Sequence, residues 1–212
     1  MKINVFTLNI NNYCPEMMEL TVPLMKKYAN KIGAEFIEIT ERKFQDYHIH
    51  YEKLQIYDIG KDADWNIFFD GDVIVNNSMI DIRESNPNMV LLKDGYNVDI
   101  KFLTNKYFYK RKQGIASCFV ATSKNCHNLW EPLDLTPKEI SSKIIISKKD
   151  INDGLKADTP QDEYALSYNL AKYEYNYSGV PIDSMYHSYN ANYNDNSKKL
   201  NEIKDKLKEW NL

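Results

Sequence analysis

Two aspartates separated by one glycine, Asp70-Gly71-Asp72, follow directly on an apolar run that ends at Phe69. Such a run predicts a buried strand, and open α/β sheets bind ligands where strands end. Side chains two positions apart in extended backbone share a face, and Gly71 would let a ligand approach the backbone. Carboxylate oxygens suit Mg²⁺ or Mn²⁺. The segment therefore predicts a divalent-metal site, with a plain turn as the structural alternative.

The composition is that of one globular domain. The chain has 212 residues, 43% of them hydrophobic, and a formal net charge of −3, which argues against non-specific nucleic-acid binding. Three cysteines without metal-type spacing (Cys14, Cys118 and Cys126) predict reduced thiols. With a short, polar start and no segment long enough to span a membrane, we expect a cytoplasmic protein.

The first half of the chain alternates predicted strands and helices. Strands are expected at 2–10, 34–40 and just before Asp70, with helices up to Gly33 and over 52–59. Pro23 is expected to kink the first helix or to mark its start. The order β-α-β-α-β predicts a parallel sheet with helices on both faces.

The second half is less regular. We expect strands over 89–92 and 114–122, an extended segment over 180–187 and an amphipathic helix from residue 195 onward. The basic and aromatic stretch 97–113 predicts either a mobile lid over an anionic ligand or a surface excursion.

Two Thr-Pro pairs fit the capping-box pattern that opens helices. The first pairs Thr136 with Glu139, and the second pairs Thr159 with Asp162. For Asp162 a capping role and a catalytic role both stay open. His48, His50 and His127 are expected to have surface or loop roles.

Taken together, these features resemble the GT-A glycosyltransferases. The Asp-x-Asp strand end, a small-residue strand, a helix headed by Gln161-Asp162-Glu163 and the late His187 occur in the order of that family. The likeness is greatest to the retaining galactosyl-, glucosyl- and xylosyltransferases, in a compact viral or bacterial form. It implies an α/β, single-domain GT-A (Rossmann-like) fold with a central mixed, mostly parallel sheet flanked by helices. Residues 1–95 would form the nucleotide-binding half, 96–190 the acceptor half and 195–212 a closing helix.

The resemblance also implies roles for individual residues around the donor. Asp70, Asp72 and His187 would hold Mn²⁺, or Mg²⁺, against the donor diphosphate. Residues expected to bind the donor are Thr7, Asn9, Tyr13 (stacked on uracil), Lys53, Asp70, Gly71, Asp94 (on the sugar hydroxyls) and Ser117.

The resemblance implies that Asp162 and Glu163 flank the anomeric carbon. One of these carboxylates would stabilise an oxocarbenium-like centre or act as nucleophile. The function implied is transfer of a hexose or deoxyhexose from a UDP-sugar to a saccharide hydroxyl, with retention.

Two other functions stay open. The segment from Phe68 to Val75 also resembles the first motif of haloacid-dehalogenase-like phosphatases, in which Asp70 would be the nucleophile and Asp72 the acid/base. A non-catalytic sugar- or nucleotide-binding module is the second alternative.

Overall fold

The structure, a computed structural model, describes residues 1–93, 115–144, 159–188 and 196–212. Its strands are β1 (Ile3–Leu8), β2 (Glu35–Ile39), β3 (Trp65–Phe69), β4 (Val73–Val75), β5 (Met89–Lys93), β6 (Phe119–Ser123), β7 (Asn176–Val180) and β8 (Met185–His187). Its α-helices are α1 (Pro15–Ile32), α2 (Ile56–Ile59), α3 (Pro137–Lys143), α4 (Gln161–Lys172) and α5 (Asn196–Trp210), and 3₁₀ helices lie at Ile49–Gln55, Ile82–Glu84, Lys124–Trp130 and Ile182–Ser184.

Six strands form one mixed sheet in the order β2-β1-β3-β6-β5-β7, while β4 and β8 form a separate antiparallel pair. β1 is parallel to β2 and β3, and β7 is parallel to β5. β6 runs antiparallel to both of its neighbours. The predicted α/β fold with a central mixed, mostly parallel sheet flanked by helices is confirmed. The predicted boundaries between the halves stay a prediction.

β3 is central because both of its faces are covered. All five of its residues are buried. Side chains alternate between faces along a strand, so Phe68 packs in one apolar layer, while Ile67 and Phe69 pack in the other with Tyr28 of α1. This burial on both faces explains the uninterrupted apolar run before Asp70.

The first predicted helix is confirmed with its end at Gly33, whereas the second is wrong in its form. α1 begins at Pro15 and continues past Pro23, so Pro23 does not start it. The predicted helix over 52–59 is a 3₁₀ helix followed by the single turn α2. Glu52 in that segment is fully buried and accepts the backbone N–H groups of Lys43 and Phe44. Tertiary contacts of this kind override local helix propensity.

The later strand predictions also change. β6 begins only at Phe119, because Ser117 and Cys118 form a turn whose polar groups bond to α4. The extended segment predicted over 180–187 is divided between the end of β7 and β8. The predicted lid over 97–113 lies outside the described residues.

The amphipathic C-terminal helix is confirmed as α5. Its buried Ile203 packs against Met17 of α1 and Ile74 of β4, so the helix covers its own chain. Among the described residues, none of the helices combines the length and apolar character needed to cross a membrane.

Candidate active site

A cavity of about 210 Å³ lies beyond the carboxyl ends of β1 and β3. Its walls come from the ends of these strands, the turn before β6, the start of α4, the end of β8 and the first turn of α5. Its lining includes Leu8, Ile10, Tyr13, Ile49, His50, Lys53, Asp70, Gly71, Asp72, Ser117, Asp162, Glu163, His187 and Lys199. The cavity thus collects most of the residues singled out from the sequence.

Asp70, Asp72 and His187 lie together on one side of this cavity. Each offers one ligand atom, and these atoms all lie within 4.8 Å of one another. The antiparallel pairing of β4 with β8 sets Val73 opposite His187. That register brings the imidazole Nε2 to 3.1 Å from Asp72 Oδ1.

This donor set fits a divalent ion. Two carboxylates and one imidazole suit Mn²⁺ better than Mg²⁺, which favours oxygen ligands alone. Burial opposes ionisation of Asp72, but His187 and Lys199 outweigh it and hold the pKa of this carboxyl well below its usual range. Asp72 is therefore ionised, as a metal ligand must be.

A second cluster is built around a buried lysine. Lys53 is 1% exposed, and its Nζ lies 2.9 Å from both Asp70 Oδ1 and Asp162 Oδ2. The same ammonium donates to Ser117 Oγ at 2.7 Å. Burial alone would lower the pKa of Lys53, but Asp162 and Asp70 raise it. One charged ammonium thus connects the end of β3 to the start of α4.

Asp162 has one engaged and one open carboxylate oxygen. Its Oδ2 accepts from Ser117 Oγ at 2.6 Å, while its buried Oδ1 has no hydrogen-bond partner among the described residues. Burial opposes its ionisation, but Lys53 and then His50 outweigh it and lower the pKa of Asp162 to about 2. Asp162 is therefore an ionised group with an acceptor left for a ligand.

The predicted capping box at Thr159 is wrong, because Asp162 is turned toward Lys53. α4 has Pro160 at its N-cap and no side-chain capping bond. The box between Thr136 and Glu139 is confirmed, with both of its hydrogen bonds present at the start of α3.

Glu163 lies next to Asp162 but in the opposite protonation state. Its Oε1 accepts the backbone N–H of Ser117 at 3.3 Å. Burial and then the charge of Asp162 raise the pKa of Glu163 to about 8. At neutral pH the pair therefore consists of one carboxylate and one largely protonated acid, a division typical of catalytic carboxyl pairs.

The raised pKa of Glu163 predicts a pH dependence of stability. Between its ordinary pKa of 4.5 and about 8, the folded chain holds a proton that the unfolded chain has lost. The stability from this proton is fully present below the lower value and is lost as pH rises through the higher one. Glu163→Gln carries no proton to lose, so we expect its free energy of unfolding to fall less across this range. Urea unfolding of both proteins at several pH values measures this, and equal slopes would contradict it.

Only some of the residues expected around the nucleotide line the cavity. Tyr13 lines it and is 40% exposed, as a stacking residue would be. Thr7 is fully buried within β1, and Asn9 donates to Glu38 Oε2. Neither Thr7 nor Asn9 lines the cavity. Asp94 lies outside the described residues.

Gly71 lines the cavity and also packs closely against helix α1. A Cβ at this position would lie 2.5 Å from the sulfur of Met18, so the group approaching the glycine is helix α1. The hydroxyl of Thr21 on the same helix donates to the carbonyl of Gly71 at 2.6 Å. The glycine thus allows α1 to support the two aspartates.

Two histidines expected at the surface are partly buried and make specific contacts. His50 lines the cavity, where its ring makes an edge contact with His48. His127 stacks on Tyr57, and its Nε2 lies 2.9 Å from the carbonyl of Tyr57.

Lys199 is the main site residue that sequence reasoning missed. Its Nζ lies 2.8 Å from Asp72 Oδ2. A signal was present, because Lys199 precedes the buried Ile203 by four residues and so shares its helix face. A lysine on the buried face of an amphipathic helix indicates a buried or functional partner.

Comparison with known proteins identifies a shared fold. No protein-family model matches the sequence, and no curated protein matches it. Among solved structures, the chain is similar to a glycosyltransferase involved in the glycosylation of the major capsid of PBCV-1, with a TM-score of 0.52 and 12% identity. The match covers 97% of this chain and 100% of the other. At this identity the likeness establishes a glycosyltransferase-like fold and nothing finer.

Proposed function

We propose that this protein is a metal-dependent glycosyltransferase that moves a hexose or deoxyhexose from a UDP-sugar to a hydroxyl of a saccharide acceptor. One observation carries the proposal. A cluster of metal-ligand type and a carboxyl pair of opposite protonation face the same cavity, and Lys53 bridges them. The glycosyltransferase-like fold supports the same reading.

The metal side of the cavity suits the leaving group. Asp70, Asp72 and His187 would hold Mn²⁺, which when bound supplies positive charge to the diphosphate that departs. Tyr13 and the apolar residues Leu8 and Ile10 line the cavity as well. An aromatic ring and two apolar side chains are residue types that suit a nucleobase.

The carboxyl side suits the sugar. Asp162 Oδ1 can accept a hydrogen bond from a sugar hydroxyl, and its negative charge stabilises positive charge developing at the anomeric carbon. Glu163, being largely protonated, is fitted to donate a hydrogen bond rather than to attack as a nucleophile. Retention of configuration stays part of the proposal through the family resemblance.

The phosphatase alternative has weaker support. It needs Asp72 to deliver and take up a proton near neutral pH. The pKa of Asp72 is held far below that range by His187 and Lys199, against the effect of burial. A carboxyl of this kind is a poor general acid.

Turnover of nucleotide sugars tests the proposal. With Mn²⁺ and a panel of saccharide acceptors, the wild-type protein is expected to release UDP from at least one UDP-sugar and to glycosylate an acceptor. Asp162→Asn keeps the size of the side chain and removes its charge, so turnover should fall roughly 10²–10³-fold. Asp205→Asn, on the exposed face of α5, is the matched control and should retain wild-type turnover. Absence of turnover across all UDP-sugars, or full activity of Asp162→Asn, would contradict the proposal.

A further inference from the structure

We propose that Lys199 and the divalent ion are alternative partners of Asp72, so that the C-terminal helix α5 acts as a built-in competitor of the metal. The inference rests on the metal site of the proposed function. It concerns a residue that neither the fold nor the sequence motifs assign.

Both oxygens of Asp72 are occupied by this chain's own side chains. Oδ1 lies 3.1 Å from His187 Nε2, and Oδ2 lies 2.8 Å from Lys199 Nζ. A small divalent ion such as Mg²⁺ lies about 2.0–2.1 Å from a carboxylate oxygen. The ammonium of Lys199 therefore fills the approach to Oδ2 that an ion bound there would need.

The other lysine of the site does not take over this role. Lys53 is already bound to Asp70 and Asp162. Lys199 is thus the lysine that supplies a positive charge to Asp72. A lysine ammonium is a point charge on a flexible stem, so another cation at Asp72 can displace it.

The helix can release Lys199 without leaving the protein. Ile203 of α5 is buried against Met17 and Ile74, one turn beyond the lysine. Ser188 also donates a hydrogen bond to Glu202 of the same helix. The lysine side chain is flexible, so a displaced ammonium remains at the cavity wall, where the phosphates of a nucleotide would attract it. Lys199 therefore weakens binding of the metal ion by itself. Once the ion is bound, the same lysine strengthens binding of a nucleotide.

Mn²⁺ binding without nucleotide tests the competition, using calorimetry on wild type and Lys199→Met. Removing the competitor should tighten Mn²⁺ binding about tenfold, the effect of one charged hydrogen bond. With saturating Mn²⁺, the same variant should bind UDP about tenfold more weakly. Lys208→Met, which removes a 79% exposed lysine of the same helix, should change neither affinity. A merely structural role would not change the two affinities in opposite directions.

Unchanged or weaker Mn²⁺ binding by Lys199→Met would overturn the inference alone, since wild-type binding of Mn²⁺ and UDP would still support the transferase. If neither the wild type nor Lys199→Met binds Mn²⁺, both the inference and the proposed function are contradicted. Should Lys199→Met fail to fold, the same calorimetry on Lys199→Gln, which also lacks the positive charge but keeps a polar end, decides. Tighter Mn²⁺ binding by Lys199→Gln than by the wild type supports the inference, and unchanged or weaker binding overturns it.

Discussion

Asp72→Asn is expected to abolish Mn²⁺-dependent binding of UDP. The substitution keeps the shape of the side chain but removes the negative charge that both His187 and Lys199 face. It also takes a charged oxygen ligand from a cluster whose ligand atoms lie within 4.8 Å of one another. Loss of a residue that merely orients a ligand already lowers metal affinity 10–100-fold, so loss of a ligand should lower it at least about 100-fold. Calorimetric titration of Mn²⁺, and of UDP in its presence, measures both effects.

A control substitution at another aspartate tests whether loss of any negative charge has the same effect. Asp58→Asn removes a negative charge from an exposed pair with Lys43 and should leave both affinities unchanged. Near-wild-type affinity of Asp72→Asn for Mn²⁺ would contradict the assignment of the metal site.

Lys53→Met is expected to have the largest effect on stability. It removes a buried ammonium that serves two carboxylates at once, and Asp162 is only 1% exposed. Removing one partner of a buried ion pair destabilises a protein by about 3–5 kcal/mol. We expect a loss of this size in the free energy of unfolding from urea denaturation at neutral pH. A change well below 1 kcal/mol would show that the cluster is not buried as described.

Two further measurements identify the cause of this loss. Lys53→Met combined with Asp162→Asn leaves no unpaired charge at Asp162, so the double variant should be more stable than Lys53→Met alone. The pH dependence should also reverse. In the wild type the lowered pKa of Asp162 contributes stability above its ordinary value of 3.8, which is lost as pH falls to about 2. Without Lys53, burial dominates and stability should instead fall as pH rises.

The frame of the fold follows from local patterns in the sequence. β1 and β3 are apolar runs, β2 mixes polar and apolar residues, and a clear helical pattern separates β1 from β2. The parallel pairing of these strands follows from the alternation of strands and helical segments. β4 and β8 have only three residues each, too few for a periodic signal. Their pairing, which brings His187 to Asp72, was accessible only through the resemblance to a family.

The chemistry of the site depends on contacts between distant parts of the chain. Lys53 and Asp162 are 109 positions apart, and no spacing rule connects them. The segment around Lys53 was predicted as an α-helix but is a 3₁₀ helix. Asp162 was considered as a helix cap but forms an ion pair with Lys53 instead. The protonation of Glu163 follows from burial and from the charge of its neighbour. Residue types therefore predicted many of the residues that line the cavity, while their ionisation depends on burial and on charged neighbours that only the folded chain brings together.

The most direct test of the central claim is calorimetric titration of UDP into the wild-type protein with Mn²⁺ and again with the metal chelated. Binding that requires Mn²⁺ is the result expected if Asp70, Asp72 and His187 hold an ion that in turn binds the diphosphate. Absence of UDP binding in Mn²⁺, together with binding of a phosphate-mimicking fluoride in Mg²⁺, would contradict the claim and favour a phosphatase.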